Sequence, residues 1–147
     1  MDTMRMESGF LHWGHDISPE ENQYEAGLNF TISYKKPFNF IGKEKLLELK
    51  NQKLNRRFVM LILKNSTPGQ PLLLHEEPIY LENEIIGKTT SGNYSFNYDK
   101  NLSFGYINLE LTNEELLNGD LYIEIEKKKY EAQILLKSLK QRSFKDI

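Results

Sequence analysis

The feature that most limits how this chain can fold is a succession of short strand-like segments that begins at residue 58 and continues almost to the end. Residues 58–63 (FVMLIL) form a continuous apolar strand pattern. Near the end, two alternating segments flank Lys127 and Lys128, which predicts a hairpin. Many short strands separated by turns are typical of a small closed barrel or a sandwich. The hairpin segments are residues 121–126 and 129–136, and the remaining strand patterns lie at residues 78–81, 84–88 and 102–107.

The first third of the chain has a different character. Residues 1–9 predict a short helix that ends at Gly9, residues 28–34 (LNFTISY) predict a strand, and residues 42–52 predict an amphipathic helix. A basic joint at residues 53–57 separates this part from the strands. We therefore predict an α+β fold that is mainly β, with a mixed helix and strand connecting segment over residues 1–53 and a β domain over residues 54–147.

Composition excludes several classes of protein. The 147 residues are 39% apolar and 27% charged, with a net charge of −2, which gives no indication of a nucleic acid or membrane partner. The absence of cysteine excludes disulfides and thiolate chemistry and fits a reducing compartment. No apolar run reaches the roughly 18 residues that span a bilayer. The N-terminus does not resemble a signal peptide, so we expect a cytoplasmic protein.

The string HWGHDI at residues 12–17 is the strongest candidate for a metal site. His12 and His15 lie three residues apart with Asp16 beside them, and on a helix this spacing offers two ligands on one face. Gly14 between them favours a loop, and His75 is the only further histidine in the chain. We therefore expect a structural loop in which Trp13 packs and the histidines form hydrogen bonds, and no metal site.

Other motifs are better explained by structure than by chemistry. GKTT at residues 87–90 lacks the glycine that a P-loop requires five residues earlier, because Glu82 stands there. We interpret it as a strand end that leads into a turn at Ser91 and Gly92. The alternating aromatic residues between 94 and 106 are interpreted as core and cross-strand pairs. The acidic pairs at 76–77 and 114–115 are interpreted as solvated surface.

Arg5 is a candidate for contact with a ligand, because a guanidinium can clamp a carboxylate through two hydrogen bonds. It stands in the string MRMES beside Glu7. The alternative is an ion pair with Glu7 or with a neighbouring loop.

An ordered series of short motifs covers nearly the whole chain: RMESG (5–9), HWGHDI (12–17), YEAGL (24–28), FIGKE (40–44), RRFV (56–59), EPIY (77–80), IGKTTSG (86–92) and FGYI (104–107). This series resembles the C-terminal half of the glycine cleavage T-protein superfamily. That superfamily includes the aminomethyltransferase of glycine cleavage and the folate domains of dimethylglycine and sarcosine dehydrogenases. HWGHDI resembles the dehydrogenase branch more closely, although Leu11 departs from the arginine common there.

The resemblance implies a ligand. In the family, tetrahydrofolate accepts a one-carbon unit in a cavity shared between subdomains. Arg5 matches the family arginine that is expected to hold the glutamate tail of folate, and we predict Arg5, Glu7 and Trp13 as cofactor-binding residues. No catalytic residue is predicted here, because the best-known carboxylate of the family belongs to the N-terminal half. Met1 stands where the family often has a further arginine.

The resemblance also implies an architecture and partners. Residues 57–140 resemble a Greek-key β-barrel of about six strands, in which Gly87 and Gly92 would mark strand ends. The expected partners are N-terminal T-protein-like subdomains, with a lipoyl carrier protein or a flavin domain as further candidates. FAD is implied only if the parent is a dehydrogenase. A chain of this kind is expected to be inactive alone, because a site shared between subdomains is not organised by one of them.

A non-enzymatic alternative stays open at this point. The barrel would then be a stand-alone binding or interaction module. An exposed apolar patch on the first third, left uncovered by a missing partner domain, would resemble such an interface.

Overall fold

A computed structural model of the chain describes residues 2–108 and 110–135. Six antiparallel strands close into a barrel, with the spatial order β1-β4-β3-β2-β5-β6 and β6 returning to β1. No helix within the described ranges is both long and apolar enough to cross a membrane. The strands are β1 (Arg56–Leu63), β2 (Pro78–Leu81), β3 (Glu84–Ser95), β4 (Lys100–Asn108), β5 (Leu121–Ile125) and β6 (Lys128–Leu135); the helices are α1 (Asp2–Glu7), α2 (Lys43–Lys50) and α3 (Asn113–Asn118).

The strand order is that of a Greek key. Strands β2, β3 and β4 follow one another as neighbours, and β1 is joined to them by a long connection yet lies beside β4. Closure leaves the sheet without an unpaired edge strand. The predicted α+β, mainly β barrel is therefore confirmed.

The core lies inside the barrel and draws on all six strands. Val59, Leu61 and Leu63 of β1 point inward, where they meet apolar residues such as Ile79 and Ile123. The alternate residues of β1 belong to a second cluster on the outer surface of the barrel. Burial on both faces explains why residues 58–63 read as a continuous apolar run.

Helix α1 lies over that second cluster. Met6 is fully buried and packs with Met60 of β1 and with Leu102 and Phe104 of β4. The predicted helix of residues 1–9 is thus observed over Asp2–Glu7. Its single buried side chain fixes the start of the connecting segment to the outside of the barrel.

The predicted strand at residues 28–34 is wrong. The structure has a short 3₁₀ helix at Asn29–Thr31 and no strand in this stretch. A strand needs a neighbour to pair with, and the closed barrel presents no free edge to receive one. Phe30, which an added strand would have buried, is instead 80% exposed.

The interpretation of Gly87 and Gly92 as strand ends is also wrong. Both glycines lie inside β3, which extends well beyond the predicted residues 84–88, and Ser91 is not part of a turn. A Cβ added at Gly87 would lie 2.0 Å from the carbonyl oxygen of Tyr106, and one at Gly92 would lie 2.2 Å from Cβ of Leu73. The glycines therefore mark close approaches within the barrel.

Helix α3 was not among the predicted elements. Thr112 accepts a hydrogen bond from the backbone N–H of Glu115, and the Glu115 carboxylate accepts one from the backbone N–H of Thr112, which forms a capping box. This pattern holds the pKa of Glu115 below its usual range, chiefly through the hydrogen bond from the Thr112 hydroxyl. Leu116 of the same helix is buried in the barrel core.

Candidate functional site: the anchored loop of residues 12–17

The HWGHDI loop is a single tight turn. The carbonyl oxygen of His12 accepts hydrogen bonds from the backbone N–H groups of His15 at 3.2 Å and Asp16 at 2.8 Å. Gly14 has a positive φ of 89°, and its N–H donates to the carbonyl oxygen of Ile17 at 2.8 Å. The turn buries Asp16 and leaves His12, Trp13 and His15 exposed.

Asp16 is the centre of a hydrogen-bond network. Its Oδ2 atom accepts from Nη1 of Arg5 at 2.6 Å and from the backbone N–H of His12 at 2.8 Å. Its Oδ1 atom accepts from the hydroxyl of Thr90 at 2.6 Å. The side chain has no exposed surface, so this charge is both paired and fully hydrogen-bonded, as a buried carboxylate must be.

Arg5 joins α1, the loop and the barrel. Its Nε atom donates to Asp2 at 2.8 Å, and its Nη2 atom donates to the hydroxyl of Ser91 at 3.0 Å. The hydrogen bond from Arg5 lowers the pKa of Asp2 below its usual value. The sequence left open an ion pair with a neighbouring loop, and the structure shows that pair with Asp16.

Glu7 fastens the end of α1 to the hairpin between β3 and β4. Its carboxylate accepts a short hydrogen bond from the hydroxyl of Ser95 and one from the side-chain amide of Asn97 at 2.5 Å. Arg5 and Glu7, both predicted as cofactor-binding residues, therefore make long-range contacts with β3 and its hairpin. Their part in binding a ligand stays a prediction.

Tyr106 of β4 holds the loop through a hydrogen bond. Its hydroxyl donates to the backbone carbonyl oxygen of Asp16 at 2.8 Å, and its ring packs edge-on against Phe58. Burial raises the pKa of Tyr106 well above its usual value, and the nearby negative charge of Glu21 adds to the effect. The hydroxyl therefore stays protonated and keeps donating.

Trp13 differs from the expectation that it packs. Its side chain is 66% exposed, because the turn directs it away from the barrel while Asp16 points inward. The rings of His12 and His15 lie 4.6 Å apart at their centroids. The described residues contain no group of three side chains placed to hold a metal ion. The hydrogen-bonded turn therefore presents an exposed indole, which can stack on a flat ring.

Two surface depressions lie elsewhere on the molecule. One, of about 500 Å³, is lined by residues such as Lys64, Ser66 and Lys100. The other, of about 250 Å³, lies between α3 and strands β5 and β6. Neither depression is lined by Arg5 or Trp13.

Sequence reasoning missed the residues that organise the loop. The HWGHDI pattern presents Asp16 only as a possible metal ligand, and no pattern in the sequence brings Thr90, Ser91 or Tyr106 to it. Their partners are far away in sequence: Thr90 lies 74 residues from Asp16, and Tyr106 lies 90 residues from it. In the sequence, none of these polar residues differs from an ordinary surface residue. Only the folded barrel brings their side chains into contact with the loop.

The structure is thus a closed six-stranded Greek-key barrel with α1 and the HWGHDI loop fastened to its outer surface. The profile of the glycine cleavage T-protein C-terminal barrel domain matches residues 56–139. The chain belongs to this family, which confirms the resemblance that the motifs indicated.

Relatives from both branches of the superfamily align with nearly the whole chain. It is 35% identical over 91% of its length to 4-methylaminobutanoate oxidase (formaldehyde-forming) of Paenarthrobacter nicotinovorans. It is 32% identical over 95% of its length to the mitochondrial dimethylglycine dehydrogenase of Rattus norvegicus. It is 33% identical over 91% of its length to the aminomethyltransferase of Listeria monocytogenes serotype 4a (strain HCC23).

The chain spans only part of these relatives: 15% of the oxidase, 16% of the dehydrogenase and 35% of the aminomethyltransferase. The crystal structure of glycine cleavage system aminomethyltransferase T from Bartonella henselae shares the fold. It superimposes with a TM-score of 0.75 over 90% of this chain and 36% of that one, at 21% sequence identity.

Proposed function

We propose that this chain is the C-terminal part of a tetrahydrofolate-dependent one-carbon enzyme, either an aminomethyltransferase or the folate domain of a dimethylglycine or sarcosine dehydrogenase. Its task is to form one wall of the folate site. The remainder of the site comes from N-terminal T-protein-like subdomains. A lipoyl carrier protein belongs to the aminomethyltransferase version, and a flavin domain with FAD to the dehydrogenase version.

The observation that carries this proposal is the exposed Trp13 on a loop whose Asp16 is buried and paired with Arg5. An aromatic ring that is 66% exposed yet rigidly supported is suited to stack on a flat pterin or benzoyl ring. In this arrangement Trp13 contacts the folate, while Arg5 and Glu7 hold the loop and α1 in place. Preorganisation of this kind lowers the entropy that binding would otherwise cost.

A second observation supports the proposal that other subdomains complete the folate site. Residues 27–53 include no buried residue, although they carry Phe30, Phe38 and Ile41. Apolar side chains gathered on an open surface mark a place where another protein surface packs. The lack of cysteine also fits a cytoplasmic, reducing setting, which we propose with the function.

A chimaera tests the folate role. The matching C-terminal part of the Listeria monocytogenes aminomethyltransferase would be replaced by this chain, and tetrahydrofolate binding measured by calorimetry. We expect binding by the chimaera and a loss of about tenfold on Trp13→Ala, since stacking of one aromatic ring contributes about 1–3 kcal/mol. Phe10→Ala, another exposed aromatic residue of the same segment, is the matched control. Binding unchanged by Trp13→Ala would contradict the proposed contact.

The isolated chain tests incompleteness. Its tetrahydrofolate-dependent aminomethyl transfer would be assayed directly, and we expect no turnover above background. Robust turnover by the isolated chain would overturn the claim that the site needs other subdomains. It would also argue against the alternative that the barrel is a stand-alone, non-enzymatic binding module.

A further inference from the structure

Residues 27–53 present an apolar surface that the barrel does not cover. Ile41 is fully exposed, Phe30 is 80% exposed, Phe38 is 61% exposed and Leu47 is 41% exposed. Helix α2, predicted to be amphipathic over residues 42–52, is present but has no buried residue. Tyr24 ties this stretch to the preceding residues, because its hydroxyl donates to the carbonyl oxygen of Leu46 at 3.0 Å and is hydrogen-bonded to Tyr34.

The same stretch concentrates positive charge. Residues 35–57 contain eight basic and two acidic side chains, whereas the rest of the chain contains eleven basic and nineteen acidic ones. Within the described ranges, no acidic side chain forms an ion pair with Lys35, Lys36, Lys43 or Lys50. These ammonium groups therefore stand beside the apolar surface without a counter-ion from the described part of the chain.

The lysines and aromatic rings are arranged in pairs. The ammonium of Lys36 lies 5.9 Å from the centroid of the Phe38 ring, and that of Lys50 lies 5.6 Å from the centroid of the Tyr34 ring. Lys43 lies at 5.9 Å over Phe40. Each pair holds a positive charge close to apolar surface. We call this surface the lysine–aromatic face, made of Phe30, Tyr34, Lys35, Lys36, Phe38, Phe40, Ile41, Lys43, Leu47 and Lys50.

From this surface we infer that the lysine–aromatic face docks onto a protein surface with an apolar centre and a rim of Asp and Glu side chains. Protein interfaces combine an apolar core with a polar rim, and this face has that composition. Complementary charge at the rim speeds association and excludes wrong partners. The inference rests on the proposed function, in which the occupant is the companion part of the one-carbon enzyme.

Single-stranded nucleic acid fits the face less well. Binding of that kind uses aromatic rings whose faces are free to stack on bases. Here Lys36 and Lys50 lie over Phe38 and Tyr34. Ile41 and Phe30 also require an apolar cover that a phosphate backbone does not provide. The surplus of acidic residues over the rest of the chain would repel a polyanion that extends beyond the face.

The test uses a synthetic amphipathic helix as probe. The peptide, of about 18 residues or five turns, carries leucine on one face and glutamate on the other, and its matched control carries lysine in place of glutamate. Binding of each labelled peptide to the full 147-residue chain is followed by fluorescence anisotropy. We expect the acidic peptide to bind at least tenfold more tightly than the basic one. Its affinity is expected to fall by about tenfold when NaCl is raised from about 50 to about 500 mM.

Charge-reversal variants locate the binding. Two double variants are made: Lys35→Glu with Lys36→Glu, and Lys43→Glu with Lys50→Glu. Each is expected to lower the affinity for the acidic peptide by about tenfold, because complementary charge is removed. Lys127→Glu with Lys128→Glu changes the charge equally in the β5–β6 hairpin and is expected to have no effect. All of these side chains are exposed or partly exposed, and circular dichroism verifies the fold of each variant.

The inference is overturned if both peptides bind equally, if the face variants bind like the unmodified chain, or if single-stranded DNA competes the acidic peptide away. Concentration-dependent self-association that the face variants abolish would identify a second copy as the occupant and also overturn it. A negative result with the peptides would not contradict folate binding by the chimaera, because that measurement depends on Trp13. The two proposals therefore fail separately.

Discussion

Nη1 of Arg5 lies 2.6 Å from Oδ2 of Asp16, eleven residues further along the chain. The Asp16 side chain is completely buried, and that of Arg5 is 16% exposed. A charge pair in such a place contributes little net energy when both partners are present, but the loss of one partner leaves the other uncompensated. Because Thr90 and Ser91 of β3 bind the same two side chains, the pair couples the loop, α1 and the barrel.

Asp16→Asn is therefore expected to destabilise the chain by about 3 kcal/mol, because it leaves the Arg5 guanidinium with only the exposed Asp2 as counter-ion and replaces one acceptor oxygen by a donor amide. The free energy of unfolding is measured by urea denaturation. Asp2→Asn is the matched control, since Asp2 also pairs with Arg5 but is 58% exposed. It is expected to cost less than about 1 kcal/mol. Equal effects of the two variants would show that the buried pair does not hold the loop.

Gly87→Ala is expected to destabilise the barrel by about 3 kcal/mol or to prevent folding. The added Cβ would lie 2.0 Å from the carbonyl oxygen of Tyr106 and 2.9 Å from the Cα of Ile107, so strands β3 and β4 would have to separate. Because the obstacle is backbone, no side-chain rotation relieves it. Soluble yield and the urea midpoint measure the effect.

Asn93→Ala is the control on the same strand, because Asn93 is exposed. Its expected effect is within about 0.5 kcal/mol. A normal urea midpoint for Gly87→Ala would mean that β3 and β4 do not approach as closely as described.

Sequence patterns were sufficient for the elements whose side chains face the barrel. Residues 78–81 were predicted as a strand and form β2, and the hairpin around Lys127 was predicted within one residue, with Glu126 and Lys127 at the turn. These segments alternate or are continuously apolar because burial selects their side chains. In these segments the residues that pack in the barrel can therefore be recognised from the local sequence pattern.

Most of the failures occurred where a distant contact decides the structure. Residues 28–34 alternate like a strand, but the closed barrel gives them nothing to pair with. Helix α3 has a readable signal, the Thr112 and Glu115 capping box, but its carboxylates were interpreted only as surface. The role of Asp16 depends on Thr90 and Tyr106, which no spacing within HWGHDI reveals. The separation of the chain into residues 1–53 and 54–147 stays a prediction.

Thr112→Ala tests the cap of α3. The hydroxyl of Thr112 accepts from the backbone N–H of Glu115, and loss of such a cap costs about 1 kcal/mol. The pKa of Glu115 is lowered in the folded chain, so its contribution is fully present above its unfolded value of 4.5 and is lost as pH falls through the folded value. Urea midpoints at neutral pH and at acid pH measure both effects.

The control for the cap is Asn118→Ala, at the other end of α3, where the side chain is exposed and the capping box stays intact. In Thr112→Ala, the pKa of Glu115 is expected to return toward 4.5, because the largest cause of its depression is removed. Carboxyl carbon NMR shifts of Glu115 report this directly. A Glu115 pKa that is unchanged in Thr112→Ala would refute the cap.

Tyr24 is the tie that holds the stretch containing α2, and its ionisation is expected to release that stretch. Loss of hydration and the hydrogen bond with Tyr34 raise the pKa of Tyr24 to about 12 from an ordinary value of 10.0. The contribution of Tyr24 is therefore fully present below pH 10 and is lost as pH rises through about 12. Ring carbon NMR of labelled tyrosine, assigned with Tyr24→Phe, follows the titration. In Tyr34→Phe the pKa of Tyr24 is expected to fall toward 10.0, because the hydrogen bond with Tyr34 is lost. In either chain the phenolate formed above the pKa of Tyr24 no longer donates to the carbonyl oxygen of Leu46. Titration of Tyr24 near pH 10 in the unmodified chain would contradict the tie.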